Sequence, residues 1–187
     1  MSYILSYLSA TYRVVSDKMC EYWDTKENNT NDRHFINPSI YDQYVAFFSK
    51  PTHIIDNIYL GSAFNAANFS QLSDLDIHVI INVTKEISIH FPDNYLYKKF
   101  ELYDNDNENI GKYLNDIYNF IEEQQHKKIF IHCKMGASRS ASVVIFYLMK
   151  KYNMNLDSAI DFVKKKRMII NPNSRFIETL SLMEQKI

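Results

Sequence analysis

The stretch "KIFIHCKMGASRSASVVIFYLM", residues 128–149, decides how the chain is read. Its first five residues hold the apolar run Ile129-Phe130-Ile131, the signature of a buried strand. Its last nine carry Ala141, Val144, Ile145, Leu148 and Met149 at helical spacing, one apolar face of a helix. Between them lies a short loop containing Cys133, Gly136 and Arg139. A loop joining a buried strand to a helix N-terminus aims several backbone N–H groups at one point, and the helix dipole adds positive potential there. Gly136 permits a backbone conformation closed to other residues. Arg139 contributes a planar, permanently charged fork that matches two oxygens of a phosphate. The unit therefore reads as an oxyanion cradle with a thiol at its base. The same field acts on the thiol: near cations and helix N-termini, thiol pKa values fall to ~3.5–7.5. Cys133 is expected to be a nucleophile at neutral pH, with Ser140 donating to its sulfur. His132 reads as a buried orienting residue, since a thiolate needs no base.

Three other readings of this stretch fail. A zinc site needs about four ligands, usually in paired Cys or His spacings, whereas His132 and Cys133 are adjacent and the other cysteine, Cys20, is far away. A merely buried cysteine leaves Gly136, Ser138, Arg139 and Ser140 without a reason. A nucleotide-binding phosphate loop needs Gly-x-x-x-x-Gly-Lys-Ser/Thr, which is absent.

Working outward, "HIIDNIYLG", residues 53–61, predicts a strand hairpin, and residues 62–73 predict a helix. "HVIINVT" and "YLYKKFEL" predict two further strands. Ile110, Leu114, Ile117, Tyr118 and Ile121 mark a helix that ends at Gln124–Lys128. Leu156, Ala159, Ile160 and Val163 mark another, and Phe176, Ile177, Leu180 and Met183 a last one. Upstream, Ser39–Ser49 reads as a short aromatic helix closed by Pro51. Strands alternating with helices predict an α/β domain: a central mixed, mostly parallel sheet flanked by helices. Residues 3–23 form an apolar stripe at spacings of three and four, followed by the polar run "DTKENNTNDRH". Residues 1–50 are accordingly read as an N-terminal helical arm, and residues 51–187 as the catalytic domain.

Lys and Arg total 21 against 22 Asp and Glu, a net charge of −1. That balance excludes a general nucleic-acid binder, which would show a basic excess. No apolar run reaches membrane-spanning length, and two cysteines make no disulfide framework. A reducing, cytoplasmic setting and no membrane partner are expected.

His132-Cys133-x-x-Gly136-x-Ser138-Arg139-Ser140 resembles the signature loop of the cysteine-dependent protein tyrosine phosphatases, and its Ser-Arg-Ser ending resembles the dual-specificity branch. "NIYLGS", "VIINVT" and "KKRMIINPNSRFIETL" resemble strands and the closing segment of that branch, so the likeness covers roughly residues 52–187. In size the chain resembles the small, atypical members. "HCKMGASRSAS" resembles the slingshot group most, a similarity confined to the loop, so that group's substrate is not carried over.

The resemblance implies a protein tyrosine phosphatase-like fold and hydrolysis of protein phosphotyrosine and phosphoserine/threonine, without metal or cofactor. It assigns Cys133 as nucleophile, Arg139 as phosphate ligand, and Lys134, Met135, Gly136, Ala137 and Ser138 as the substrate-binding loop beside Arg139. It implies that Asn173 supports that loop through hydrogen bonds. It also requires a general acid about six residues before an apolar helix position. Asp104, ahead of Ile110, fits, whereas Asp106 and Glu108 read as solvated loop residues. Lys134 is either an attractor of acidic substrates or a solvated lysine. "VKKKRM", Val163–Met168, reads as a solvated helix end. The N-terminal stripe must bury against its own domain or a second copy; it resembles, in placement only, the dimerisation helix of poxvirus-type relatives, and a homodimer is expected. Phosphatases of this fold that act on RNA 5′-triphosphate or phosphoinositide resemble a loop ending in Arg-Thr, against which Ser140 and Ala137 argue, and a phosphoglycan phosphatase would be expected to carry a carbohydrate module, which is not read in this sequence. A phosphosite-binding module would need a broken nucleophile, arginine or acid.

Overall fold

The structure is a computed structural model, and it describes residues 38–187. The stripe at residues 3–23 lies outside the described residues. The helix expected around Ser39–Ser49 is α1, Ile40–Phe48. The hairpin follows as β1, Thr52–Ile55, and β2, Ile58–Gly61, which pair antiparallel. The turn between them carries Asp56 in the left-handed region, at φ 45°.

The helix expected over residues 62–73 is two short ones, α2, Ala63–Ala66, and α3, Phe69–Asp74. Apolar periodicity hides the break, and capping causes it. Ser62 caps the first, and Asn68 turns its side chain onto the Gln71 N–H to start the second. Strands β3, Val79–Asn82, β4, Leu96–Lys99, and β5, Ile129–His132, fall within the three stretches read as strands. Helices α4, Gly111–Glu123, α5, Arg139–Tyr152, α6, Leu156–Lys166, and α7, Ser174–Glu184, complete the order.

The sheet order is β1-β2-β5-β3-β4, parallel throughout except for the β1–β2 hairpin. β3 and β5 occupy the interior and are buried along their whole length, as strands covered on both faces must be. β4 forms an edge, and its Leu96 and Lys98 are exposed. Side chains alternate across the pleat. On one face, Ile80 and Phe130 join Ala66, Leu72, Ile77 and Tyr95 in an apolar cluster. Across the sheet lies α5, which touches β2 and β5 and is packed by α4, α6 and α7. Its residues Arg139–Met149 are all buried, the pattern of a central helix rather than a surface one.

Register sets the position of the site. Gly61, His132 and Asn82 lie side by side at the carboxyl ends of three neighbouring parallel strands. The segments that follow all leave the sheet from that edge, where α/β folds build their sites. Among the described residues, no helix is long and apolar enough to cross a membrane.

Candidate active site

The loop from Cys133 to Ser138 links β5 to α5, and its backbone carbonyls are gripped from outside. The Lys134 carbonyl accepts from Ala63 N–H at 3.0 Å, and the Ala137 carbonyl from Asn171 N–H at 2.8 Å. Arg167 takes the two between: its Nη2 donates to the Met135 carbonyl at 3.0 Å and its Nε to the Gly136 carbonyl at 2.8 Å. In a trans peptide the N–H points opposite the carbonyl. Four outward carbonyls therefore turn the amides of residues 135–138 toward the concave side. Gly136 adopts φ +70°, and a Cβ there would stand 2.5 Å from the Gly61 carbonyl oxygen. Only glycine fits that position.

Cys133 is a free thiol, 1% exposed, at the floor of this cradle. Its Sγ accepts from Gly136 N–H at 3.2 Å and from Ser140 Oγ at 3.1 Å. Both donors converge on the sulfur. The charge at Cys133 also raises the affinity of Arg167 for its proton, but burial outweighs it and pushes the guanidinium down to about 10. Arg167 still carries its charge at neutral pH. "VKKKRM" is therefore not a uniformly solvated helix end: α6 stops at Lys166, and Arg167 turns inward, 3% exposed, because four acceptors await it there.

His132 is fully buried and stacks on Phe130, with Nδ1 3.3 Å from the Cys133 carbonyl oxygen. Burial pushes its pKa down to about 4, so the ring is neutral. Lys134 is exposed beside the cradle, and Met135 is 8% exposed.

Asp104 lies on the loop between β4 and α4 and reaches the cradle from the side. Its Oδ1 accepts from Ser138 Oγ at 2.7 Å and from Asn173 Nδ2 at 2.9 Å, while Oδ2 stands 3.7 Å from Arg139 Nε. Asn173 N–H donates to Ser138 Oγ at 3.3 Å, and Asn173 Oδ1 caps α7 through Phe176 N–H. Asn173 is thus bonded to both Ser138 of the loop and Asp104. Asp106 is exposed, as read from sequence, but Glu108 is not a solvated loop residue. It is 8% exposed, accepts from Tyr103 N–H at 3.0 Å and pairs with Lys112. Bracing the backbone next to Asp104 explains why a carboxylate is buried there.

Arg139 is 3% exposed, and its partner is a residue that sequence reasoning missed. Nη1 and Nη2 donate to the two carboxylate oxygens of Glu86 at 2.9 and 2.7 Å, and Nη1 also donates to the Leu102 carbonyl at 3.1 Å. Burial works against the charge on Arg139, but the bonds to Glu86 and the charges at Cys133 and Asp104 outweigh it and raise its pKa. Burial likewise pushes the Glu86 carboxyl up, and the Arg139 bonds win and hold it below the ordinary range. The signal for Glu86 was available: an acid four residues past the end of a buried parallel strand, on the edge where sites form. Among the described residues, no three His, Cys, Asp or Glu side chains come together as a metal site.

A buried thiol, amides turned inward, an arginine and a carboxylate on one rim form a phosphate-ester site. The dual specificity phosphatase catalytic domain family matches residues 58–186, and the chain belongs to that family. Human protein phosphatase Slingshot homolog 1 is 42% identical over 137 residues, 72% of this chain and 13% of the relative. Human dual specificity protein phosphatase 1 is 35% identical over 150 residues, 79% of this chain and 40% of the relative. The likeness to slingshot proteins is thus not confined to the loop; it runs through the domain. The chain spans a small part of the length of these relatives. Among solved structures, the human tyrosine phosphatase-like serine/threonine/tyrosine-interacting protein superposes with a TM-score of 0.69 at 27% identity. It covers 73% of this chain and 97% of its own. The mixed five-stranded sheet flanked by helices is the protein tyrosine phosphatase-like fold expected from sequence.

Proposed function

We propose that residues 51–187 form a catalytic domain that removes phosphate from protein phosphotyrosine and phosphoserine/threonine through a cysteinyl-phosphate. The observation that carries this reading is the position of Cys133 Sγ. It sits on the cradle floor with two donors at 3.1 and 3.2 Å, beneath amides turned inward by four gripped carbonyls.

In the first step the phosphate dianion settles on the amides of the loop and on Arg139. The Cys133 thiolate forms an S–P bond in line with the breaking P–O bond, and Asp104 gives its proton to the departing phenolate or alkoxide. Asp104 suits that role because Ser138 and Asn173 hold its Oδ1 at the rim. In the second step the Asp104 carboxylate takes a proton from water, the hydroxide oxygen bonds phosphorus, and the S–P bond breaks. Ser140 Oγ stabilises the sulfur as it leaves. Donors around the equatorial oxygens stabilise both transition states. No step calls for a metal.

Cys133→Ser tests the reading. It is expected to abolish turnover of an aryl phosphate while phosphate-ester binding persists; near-wild-type turnover would refute the nucleophile. A chemistry that needs a reduced thiol fits a cytoplasmic setting. The stripe at residues 3–23 supports a homodimer. Sedimentation of the full chain against a chain beginning at residue 50 checks it, with a fall to monomer mass expected on truncation.

A further inference from the structure

We propose that Glu86 is the positioning residue that orients Arg139 for the phosphate dianion; this rests on the phosphatase reading above. A guanidinium has two edges that can each make a paired contact, one formed by Nη1 and Nη2 and one by Nε and Nη2. Glu86 occupies the first edge with both oxygens, at 2.9 and 2.7 Å. The second proton of Nη1 goes to the Leu102 carbonyl at 3.1 Å. Two donors remain, Nε–H and the second Nη2–H, and they lie on the same edge. Nε is buried and has no hydrogen-bond partner, with Asp104 Oδ2 3.7 Å away, beyond bonding range. A buried donor without a partner is costly unless a ligand supplies one. The remaining edge is a fork left open for two phosphate oxygens.

The loop carrying Glu86 is built to hold it still. Asn82 Oδ1 accepts from Thr84 N–H and Oγ1, and Thr84 Oγ1 accepts from Ile87 N–H. Asn82 Nδ2 and Lys99 Nζ both donate to the Ile87 carbonyl, and Lys99 Nζ also to the Lys85 carbonyl. Lys85 N–H donates to the Leu102 carbonyl, which also receives Arg139. The residues on both sides of Glu86 are thus fixed to two strands, while the Glu86 side chain itself is 42% exposed. A carboxylate that only neutralised a buried charge would not need this scaffold.

A rival role can be stated in the same terms: Glu86 competes with the dianion for Arg139 and must be displaced by it. The two roles predict opposite signs. The full chain is prepared as wild type, Glu86→Gln, Glu86→Ala, Arg139→Lys and the Glu86→Ala/Arg139→Lys pair. Tungstate affinity is measured by calorimetry, and kcat and KM with an aryl phosphate. With positioning, tungstate affinity and kcat/KM fall together by on the order of tenfold to a hundredfold in Glu86→Ala. Glu86→Gln, which keeps the shape and part of the bonding, lies between. In the Arg139→Lys background, where no fork exists to orient, losing Glu86 has little further effect. Tungstate affinity that rises or stays unchanged in both Glu86 variants, or an equal loss in both backgrounds, overturns the proposal. Glu86→Gln serves as the reading should the alanine variant fail to melt cooperatively. Failure of the phosphatase reading looks different: the wild type would then bind tungstate without turning over the ester.

Discussion

Asp104 shows how one side chain is placed by its neighbours. Three acidic residues stand within five positions of each other, at 104, 106 and 108, and only one reaches the cradle. Spacing to Ile110 singled it out before any contact was known. The contacts that hold it, from Ser138 and Asn173, join residues remote in sequence, and no local pattern announces them. Asp104→Asn is expected to slow alkyl phosphates far more than activated aryl phosphates, because good leaving groups need little protonation. A ratio of kcat/KM for the two substrate types that stays at the wild-type value would remove Asp104 as the acid, and a larger effect from Asp106→Asn would transfer the role. Glu108 and Glu86 were the opposite case. Acidic residues in loops are solvated by default, and both escape the default through bonds formed only in the folded chain: Glu108 to Tyr103 N–H, Glu86 to Arg139.

At the scale of elements, the strands and the long helices were legible because their apolar periods are unambiguous. The division between α2 and α3 was not, since a cap at Asn68 leaves the hydrophobic pattern intact. Nor was the fate of Arg167, which sequence places at the end of a lysine run. It is the strut between elements: beyond the cradle carbonyls, its Nη1 donates to Thr52 Oγ1 on β1 and its Nη2 to the Ala46 carbonyl on α1, both at 3.2 Å. Arg167→Met keeps the apolar stem and removes every one of these donors. It is expected to destabilise the domain by about 3 kcal/mol, as buried acceptors lose their partners. It should also lower kcat/KM more than tenfold, because the Met135 and Gly136 carbonyls are freed to turn inward and misplace the amides. Denaturant unfolding and steady-state kinetics check the two halves; a destabilised variant with wild-type kcat/KM would show that the cradle holds its shape without the strut.

For the whole molecule, His132 connects the centre of the sheet to acid stability. Its pKa falls from 6.5 in the unfolded chain to about 4 in the fold. Between these values the unfolded chain takes up a proton that the folded one refuses, so the contribution to stability is complete above pH 6.5 and is lost as pH falls toward 4. The loss is on the order of 3 kcal/mol. His132→Asn should flatten this part of the curve, read as the difference between the two proteins in urea unfolding at pH 7 and pH 5. Equal losses in both would assign the acid sensitivity elsewhere. The general architecture was readable from the alternation of strand and helix patterns, whereas the sheet order was not, because pairing is decided by which faces bury together. One contact created by that order reaches further. The chain has only three glycines, and two of them meet: a Cβ on Gly136 would strike the Gly61 backbone, and a Cβ on Gly61 would strike Asn65 and Phe130. The loop from Cys133 to Arg139 is therefore not a portable cassette. Transplanted onto another scaffold it would carry the nucleophile and the arginine but not the bare strand end against which its turn is moulded, and a designer would have to move both pieces of chain together.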